Sequence, residues 1–166
     1  TNVCLKVAGD KLDEAITTYV RRHHNMMIGE RTAEQIKIHL GSVWPPPPDQ
    51  EEPMMDMKGR DLITGVPRSI ELTSGDVREA LADCARSILD AVKATLEKTP
   101  PELAGDISER GLVLAGGGAN LRGLDEMIRQ EIGIPVFVAD EPLLAVVRGA
   151  GKVLEEPDSY RPILYG

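Results

Sequence analysis

Residues 111–138, which read GLVLAGGGANLRGLDEMIRQEIGIPVFV, contain the pattern that decides the fold. The continuous apolar run over 111–115 predicts a strand buried on both faces. Three glycines follow, and a helix with one apolar face then leads to a second apolar run over 134–138. A strand, helix and strand in this order predict two parallel strands covered by helices. The predicted fold class is therefore α/β.

The rest of the chain shows the spacing of helices and of one hairpin. The N-terminal half predicts a strand over 2–8, a helix from Asp10 to a break at 23–25, a helix over 31–40 with Thr32 as its cap, and hairpin strands over 54–62 and 66–73. The C-terminal half adds a long helix from a Thr73/Ser74 cap to the prolines at 100–101 and a helix over 143–155 that is interrupted at 149–151.

The composition excludes several classes of protein. With 166 residues and 42% hydrophobic content the chain can bury a core, and its net charge of −8 argues against a general nucleic-acid binder. Two distant cysteines, Cys4 and Cys84, fit a reducing compartment rather than a disulfide scaffold. No apolar run approaches the roughly 20 residues that cross a bilayer. Because the chain begins with Thr1, we expect it to be part of a larger protein.

The triple glycine, Gly116, Gly117 and Gly118, is the most informative local feature. Backbone without side chains, next to the start of a helix, can approach a phosphate or a flat ring closely. A tight turn between strand and helix explains such a segment equally well, although three glycines exceed what a turn needs. A dinucleotide fingerprint would also require a third glycine, and that position is Leu121. We therefore favour a ligand other than a dinucleotide.

Glu34 and Lys37 lie three residues apart on the predicted helix over 31–40, so they share a face. Such a pair can bind ribose hydroxyls and an adenine edge, but an ordinary surface ion pair has the same spacing. Adjacent His23 and His24 face different directions on a helix and lack further ligands at metal-binding spacing, so we assign no metal site. No nucleophile and base are arranged for catalysis, and we assign no catalytic residue.

A series of motifs resembles one known family, MreB, the bacterial actin-like proteins that determine rod shape. The motifs occur in the family's order over most of residues 1–155, and they are GDKLDEAI (9–16), YVRR (19–22), IGERTAE (28–34), MKGRDLITGVP (57–67), EKTPPELA (97–104), DISERG (106–111), LAGGGA (114–119) and LRGLD (121–125). The resemblance decreases after Glu156.

The resemblance implies an actin-like, ribonuclease H-like lobe with a mixed sheet flanked by helices and a small α+β subdomain. Family members have two lobes that close on ATP, and this sequence is similar to the second lobe. By this resemblance, residues 1–24 and 75–140 would form the sheet-bearing nucleotide-binding subdomain, and residues 25–74 the smaller inserted one. Residues 141–166 would form a C-terminal helix and tail that return toward the first lobe.

The resemblance also assigns roles to individual residues. Gly9 matches the glycine beside the phosphates and ribose, Glu34 and Lys37 match the pair around ribose and adenine, and 116–118 match the adenosine motif. The implied cofactor is ATP, with Mg²⁺ organised by the other lobe. The implied partners are further copies of the protein in filaments and a membrane-spanning adaptor of the elongation machinery. The implied location is the cytoplasm, at the inner face of the cell membrane, with membrane contact through regions outside this chain.

The family's phosphate loops, acidic Mg²⁺ ligand and water-orienting residue have no counterpart in this sequence. Family members hydrolyse ATP, but we expect this chain alone to bind nucleotide weakly and to be inactive. Two alternatives stay open at this stage. One is an actin-superfamily ATPase of the chaperone or sugar kinase type, which shares the adenosine motif, and the other is a dinucleotide-binding enzyme.

Overall fold

The structure, a computed structural model, describes residues 1–161. Six helices and five strands make up most of this range. In chain order they are α1 (Gly9–His24), β1 (Met26–Met27), α2 (Glu30–Leu40), β2 (Met54–Asp61), β3 (Pro67–Thr73), α3 (Ser74–Glu97), α4 (Pro101–Arg110), β4 (Leu112–Leu114), α5 (Leu124–Ile132), β5 (Val136–Val138) and α6 (Pro142–Glu155). A short 3₁₀ helix, Gly117–Asn120, lies between β4 and α5.

The predicted hairpin is present as the β2–β3 pair of a three-stranded antiparallel sheet, in which β1 pairs with the other edge of β2. Its turn is held by Asp61, whose carboxylate accepts hydrogen bonds from the backbone N–H groups of Ile63 and Thr64. Those bonds, together with Arg68, lower the pKa of Asp61 to about 2. Gly65 completes the turn with φ +75°.

The predicted parallel pair is also present, because β4 and β5 lie side by side with Leu112 opposite Val136. The expectation of burial on both faces is wrong, since Val113 is 67% exposed and Phe137 is exposed with it. The helix α5 covers only one face of this pair, through Leu124, Met127 and Ile128. An apolar run therefore predicted the strand correctly but not its second covering layer.

One continuous core joins the two sheets through three helices. α1 contributes Leu12, Ile16 and Val20, α2 contributes Ala33, Ile36 and Leu40, and α3 contributes Val77, Leu81, Ala85 and Leu89. The spacing of three and four residues places each set on one helix face. Hairpin residues Met57 and Leu72 and the α5 residue Ile128 pack against the same cluster. The mutual packing of α1, α2 and α3 fixes the positions of the side chains considered below.

The helix starts test two predicted caps. Thr73 caps α3 as predicted, since its hydroxyl accepts from the Asp76 N–H while the Asp76 carboxylate accepts from the Thr73 N–H. Thr32 is not a cap, because α2 begins two residues earlier, at Glu30. Gly29 holds the extended capping conformation, and its carbonyl accepts from the N–H groups of Thr32 and Ala33.

Three further predictions differ from the structure. Residues 2–8 form no strand within the described range, although Val3, Leu5 and Val7 line one surface cavity with the alternation of a strand. α4 was not predicted, because the prolines at 100–101 read as a stop, whereas Pro101 occupies the first helical position, where its missing N–H costs nothing. α6 continues through Gly149 and Gly151 without interruption.

Of the predicted C-terminal segment 141–166, residues 162–166 lie outside the described residues.

Candidate functional site

Lys37 and Gly9, two of the predicted site residues, contact one another. The Lys37 ammonium donates to the Gly9 carbonyl across 3.4 Å and to Asp13 Oδ2 across 2.8 Å. Gly9 opens α1 and Asp13 follows one turn later, so the lysine of α2 reaches across to the first turns of α1. α1 and α2 pack against each other, and both contribute to the buried core, α1 through Ile16 and α2 through Ile36.

Glu34 lies one turn before Lys37 on α2 and is exposed. On the opposite side Ile36 is completely buried, so the core-facing side of α2 is apolar, although Ile38 is exposed. Glu34 and Lys37 lie one turn apart on α2, as their spacing predicts, with Glu34 exposed and Lys37 partly buried against the start of α1. The carboxylate of Glu34 remains available to an external hydroxyl or amine donor.

The three glycines follow the end of β4 and differ in what their backbone requires. Gly116 has φ +83°, which strains other residues, and its N–H donates to the Pro142 carbonyl at 2.7 Å. A Cβ at Gly117 would meet the end of the Leu143 side chain at 3.3 Å. A Cβ at Gly118 would meet nothing within 4 Å, and its φ is ordinary. The turn alone thus explains Gly116 but not Gly118.

Arg122 links the segment after the glycines to the end of α2. Its guanidinium donates to the carbonyl oxygens of Gly41 and His39 at 3.0 and 2.9 Å, and its own carbonyl accepts from the Val43 N–H. A cation beside the last carbonyl groups of a helix is favourable, since these groups lack intrahelical partners. The helix that carries Glu34 and Lys37 is therefore tied to the glycine segment by direct hydrogen bonds.

Close backbone packing strengthens this connection. A Cβ at Gly123 would lie 2.4 Å from the Cβ of Trp44, so no larger residue fits there without displacement of the chain. Trp44 directly precedes the run of prolines at 45–48, which lines a surface groove of about 630 Å³. This tryptophan is the only one in the chain and lies directly against the segment that follows the glycines.

Sequence reasoning missed two residues of this region, Asp13 and Arg122. Asp13 follows the buried Leu12 and lies three residues before the buried Ile16, so it borders the apolar stripe of α1. This border position is the one sequence signal for Asp13, and it is not specific, since aspartates are mostly exposed. Arg122 gave no comparable signal, since its acceptors are backbone carbonyls of a distant segment.

The donors, acceptors and open space of the residues present fit a nucleoside. Lys37 offers donors, Glu34 offers acceptors, and Gly116 and Gly118 leave open space where side chains would otherwise project.

Within residues 1–161 no three His, Cys, Asp or Glu side chains are grouped to hold a metal. No helix in that range is both long enough and apolar enough to cross a membrane. Burial raises the pKa of the Cys84 thiol, which disfavours its thiolate form.

Comparison with characterised proteins identifies relatives over nearly the whole chain. The family described as MreB/Mbl protein matches residues 1–162. The cell shape-determining protein MreB of Escherichia coli K12 is 49% identical over 94% of this chain and 44% of its own length. The cell shape-determining protein Mbl of Bacillus subtilis 168 is 43% identical over 95% of this chain and 46% of its own length. The chain thus spans slightly less than half the length of these relatives.

Solved structures confirm the predicted actin-like α/β fold. MreB5 of Spiroplasma citri bound to ADP superposes with a TM-score of 0.87 at 34% identity, covering 98% of this chain and 48% of that protein. The same protein bound to AMPPNP superposes with a TM-score of 0.88, covering 95% of this chain and 46% of that protein. The MamK double helical filament, at 23% identity over 93% of this chain and 46% of that one, has a TM-score of 0.76 and supports the fold alone.

These matches favour the shape-determining branch over the chaperone-like, sugar kinase-like and dinucleotide-binding alternatives. The family match covers all but four residues of the chain, and the relatives at 43–49% identity are named as cell shape-determining proteins. The resemblance drawn from the motifs is therefore confirmed, and the chain belongs to the MreB/Mbl family of actin-like, cell shape-determining proteins.

Proposed function

We propose that this chain provides the second lobe of an ATP-binding cytoskeletal protein. The observation that supports this most strongly is the superposition on MreB5, which binds ADP and AMPPNP and matches this chain at a TM-score of 0.87–0.88. Nucleotide contacts on this lobe come from Gly9, Glu34 and Lys37 on one side and from the glycines at 116–118 on the other. Arg122 holds the two sides together.

Each group has a chemical task in this proposal. Glu34 accepts from ribose hydroxyls, and Lys37 donates to the nucleoside. Gly9 and Gly118 allow the ligand to approach the backbone, because neither carries a side chain there. Phosphate chemistry and Mg²⁺ belong to parts of the relatives that this chain does not span. The proposed division places residues 1–24 and 75–140 in the nucleotide-binding subdomain, 25–74 in the smaller one, and 141–166 in the connection to the other lobe.

The whole protein, in this proposal, forms filaments of identical subunits at the inner face of the cell membrane. There it guides wall synthesis and so maintains a rod shape, together with a membrane-spanning adaptor. Support comes from the names of the relatives as cell shape-determining proteins and from the filament formed by MamK, which shares the fold. The acidic balance of the chain, with a net charge of −8, argues against direct attraction to an anionic lipid surface.

Nucleotide selectivity tests this function. Titration of the purified chain with ATP and with NAD, followed by the fluorescence of Trp44, is expected to show saturable binding of ATP and no comparable response to NAD. Trp44 is suitable because it packs against Gly123, five residues after the last of the three glycines. ATP hydrolysis by the chain alone is expected to be undetectable. Measurable turnover, or preferential binding of NAD, would contradict the proposal.

A further inference from the structure

We propose that Asp13 is a positioning residue that fixes the Lys37 ammonium in the orientation required for nucleotide binding. This inference rests on the proposed function, since it concerns how that same site is built. The sequence motifs and the family resemblance assigned no role to Asp13. The structure places its carboxylate 2.8 Å from Lys37 Nζ, on a different helix and 24 residues away in sequence.

The environment of this pair differs from that of an ordinary surface ion pair. The side chains of Asp13 and Lys37 are each 18% exposed, whereas those of Lys11 and Glu14, a pair within α1, are 53% and 64% exposed. Exposed pairs contribute little because water screens them and both side chains must be ordered. A pair held between two packed helices is screened less, so its geometry determines where the lysine charge lies.

Stability alone does not account for a carboxylate at this position. Replacing a largely buried ion pair by apolar residues of similar volume is often neutral or stabilising, because desolvation offsets the attraction. Asp13 Oδ1 is buried and has no hydrogen-bond partner among the described residues, which adds to that cost. A carboxylate at this position is better explained by what it does to Lys37.

The geometry also leaves the lysine able to bind a ligand. An ammonium group has three N–H donors. Asp13 Oδ2 and the Gly9 carbonyl are the two acceptors that it contacts among residues 1–161, which leaves one donor for a nucleotide. Without Asp13, the flexible four-carbon stem of Lys37 would adopt many rotamers. Ordering that side chain when the nucleotide binds would then cost conformational entropy and weaken the affinity.

A double-mutant cycle on ATP affinity tests the inference. Asp13→Asn, Lys37→Gln and the double variant are titrated with ATP at fixed ionic strength, and urea unfolding of each variant measures its stability. We expect Asp13→Asn to weaken ATP binding about three- to tenfold and the double variant to bind no more weakly than Lys37→Gln alone. The two effects are then not additive, because Asp13 acts through Lys37.

Glu14→Gln is the matched control, because it removes one negative charge from the adjacent position of α1. Charge removal by itself reduces repulsion of the anionic nucleotide, so this control is expected to leave ATP affinity unchanged or to raise it slightly. Asp13→Glu keeps the charge on a longer stem and is expected to bind ATP with intermediate affinity. This variant also provides a second test if Asp13→Asn unfolds.

The outcomes separate this inference from the proposed function. If the unmodified chain binds ATP and Asp13→Asn binds it equally well, Asp13 has only a structural role and the inference is overturned while the function stands. If the loss of ATP affinity in the double variant equals the product of the two single-variant losses, the residues act independently and the inference is likewise overturned. If the unmodified chain fails to bind ATP at all, both the proposed function of this lobe and the role of Asp13 are rejected.

Discussion

The helices α3 and α6 have similar apolar patterns but opposite environments. α3 buries Val77, Leu81, Ala85 and Leu89 against the central core. α6 carries leucines and valines over 143–154, yet none of its residues is buried in this chain. The difference shows that apolar spacing predicts a helix and the face it will use, while the presence of a covering layer depends on the rest of the fold.

The largest expected effect is a difference in stability when the same substitution, leucine to alanine, is made in α3 and in α6. Leu81→Ala is expected to lower the free energy of unfolding by about 2–5 kcal/mol, because a fully buried leucine leaves a cavity. Leu154→Ala, at a position that is 81% exposed, is expected to change it by less than about 0.5 kcal/mol. Urea unfolding of both variants measures the difference. Equal losses would mean that α6 is packed in solution and that the contrast is absent.

The helix starts provide a second, smaller test. α3 has a capping box formed by Thr73 and Asp76, whereas α6 begins after Glu141 without a side-chain cap. Thr73→Ala is expected to destabilise the chain by about 1 kcal/mol, as measured by urea unfolding. Thr73→Ser, which keeps the hydroxyl, is the control and should retain most of the stability. A loss as large with serine as with alanine would argue against the cap.

The same cap predicts a pH dependence. Burial alone would raise the pKa of Asp76, but hydrogen bonds from the Thr73 backbone and hydroxyl outweigh it and lower this pKa. The stabilising contribution is therefore complete above the unfolded pKa near 4 and is lost as the pH falls through the lower folded pKa. Unfolding curves of the unmodified chain and Asp76→Asn should differ at pH 6 and converge in strong acid. A difference that persists unchanged below both pKa values would contradict this.

A further small effect, of opposite sign, is expected in α6. A Cβ at Gly149 would meet nothing within 4 Å, and the residue lies inside the helix. Gly149→Ala is expected to stabilise the chain by up to about 1 kcal/mol, because alanine loses less backbone entropy in a helix. Thermal or urea unfolding would detect the gain. Destabilisation would indicate that the helix is interrupted here, as the sequence predicted.

Local chemistry explains which features could be predicted from sequence. The parallel pair β4–β5, the hairpin around Gly65 and the Thr73 cap depend on short-range spacing and turn residues, and all are present. The prediction of a strand over 2–8 was wrong because alternation specifies which side chains share a face but not which strand will supply the hydrogen bonds. The exposure of Val113 was not predicted for a similar reason, since the sequence of a strand does not specify whether a second layer covers it.

The candidate site was predictable to a similar extent. Gly9, Glu34, Lys37 and the glycines at 116–118 were predicted from motifs, and the structure brings Gly9 and Lys37 into contact. Their roles with nucleotide stay predictions. Asp13 and Arg122 were missed because their hydrogen-bond partners lie 24 and more than 80 residues away in sequence. Such long-range contacts follow from helix packing rather than from any local pattern.

Binding of ATP to Gly118→Ala tests the central claim most directly, because neither φ nor packing requires glycine there. Gly105→Ala, also open within 4 Å, is the matched control, because it lies on α4, an element that carries none of the proposed ligand contacts. Gly118→Ala is expected to unfold at a urea concentration close to that of the unmodified chain, and Gly105→Ala, which lies inside a helix, at an equal or somewhat higher one. We predict that Gly118→Ala lowers ATP affinity about tenfold, since a methyl group would occupy ligand space, while Gly105→Ala leaves it unchanged. Unchanged ATP affinity in Gly118→Ala would contradict the account.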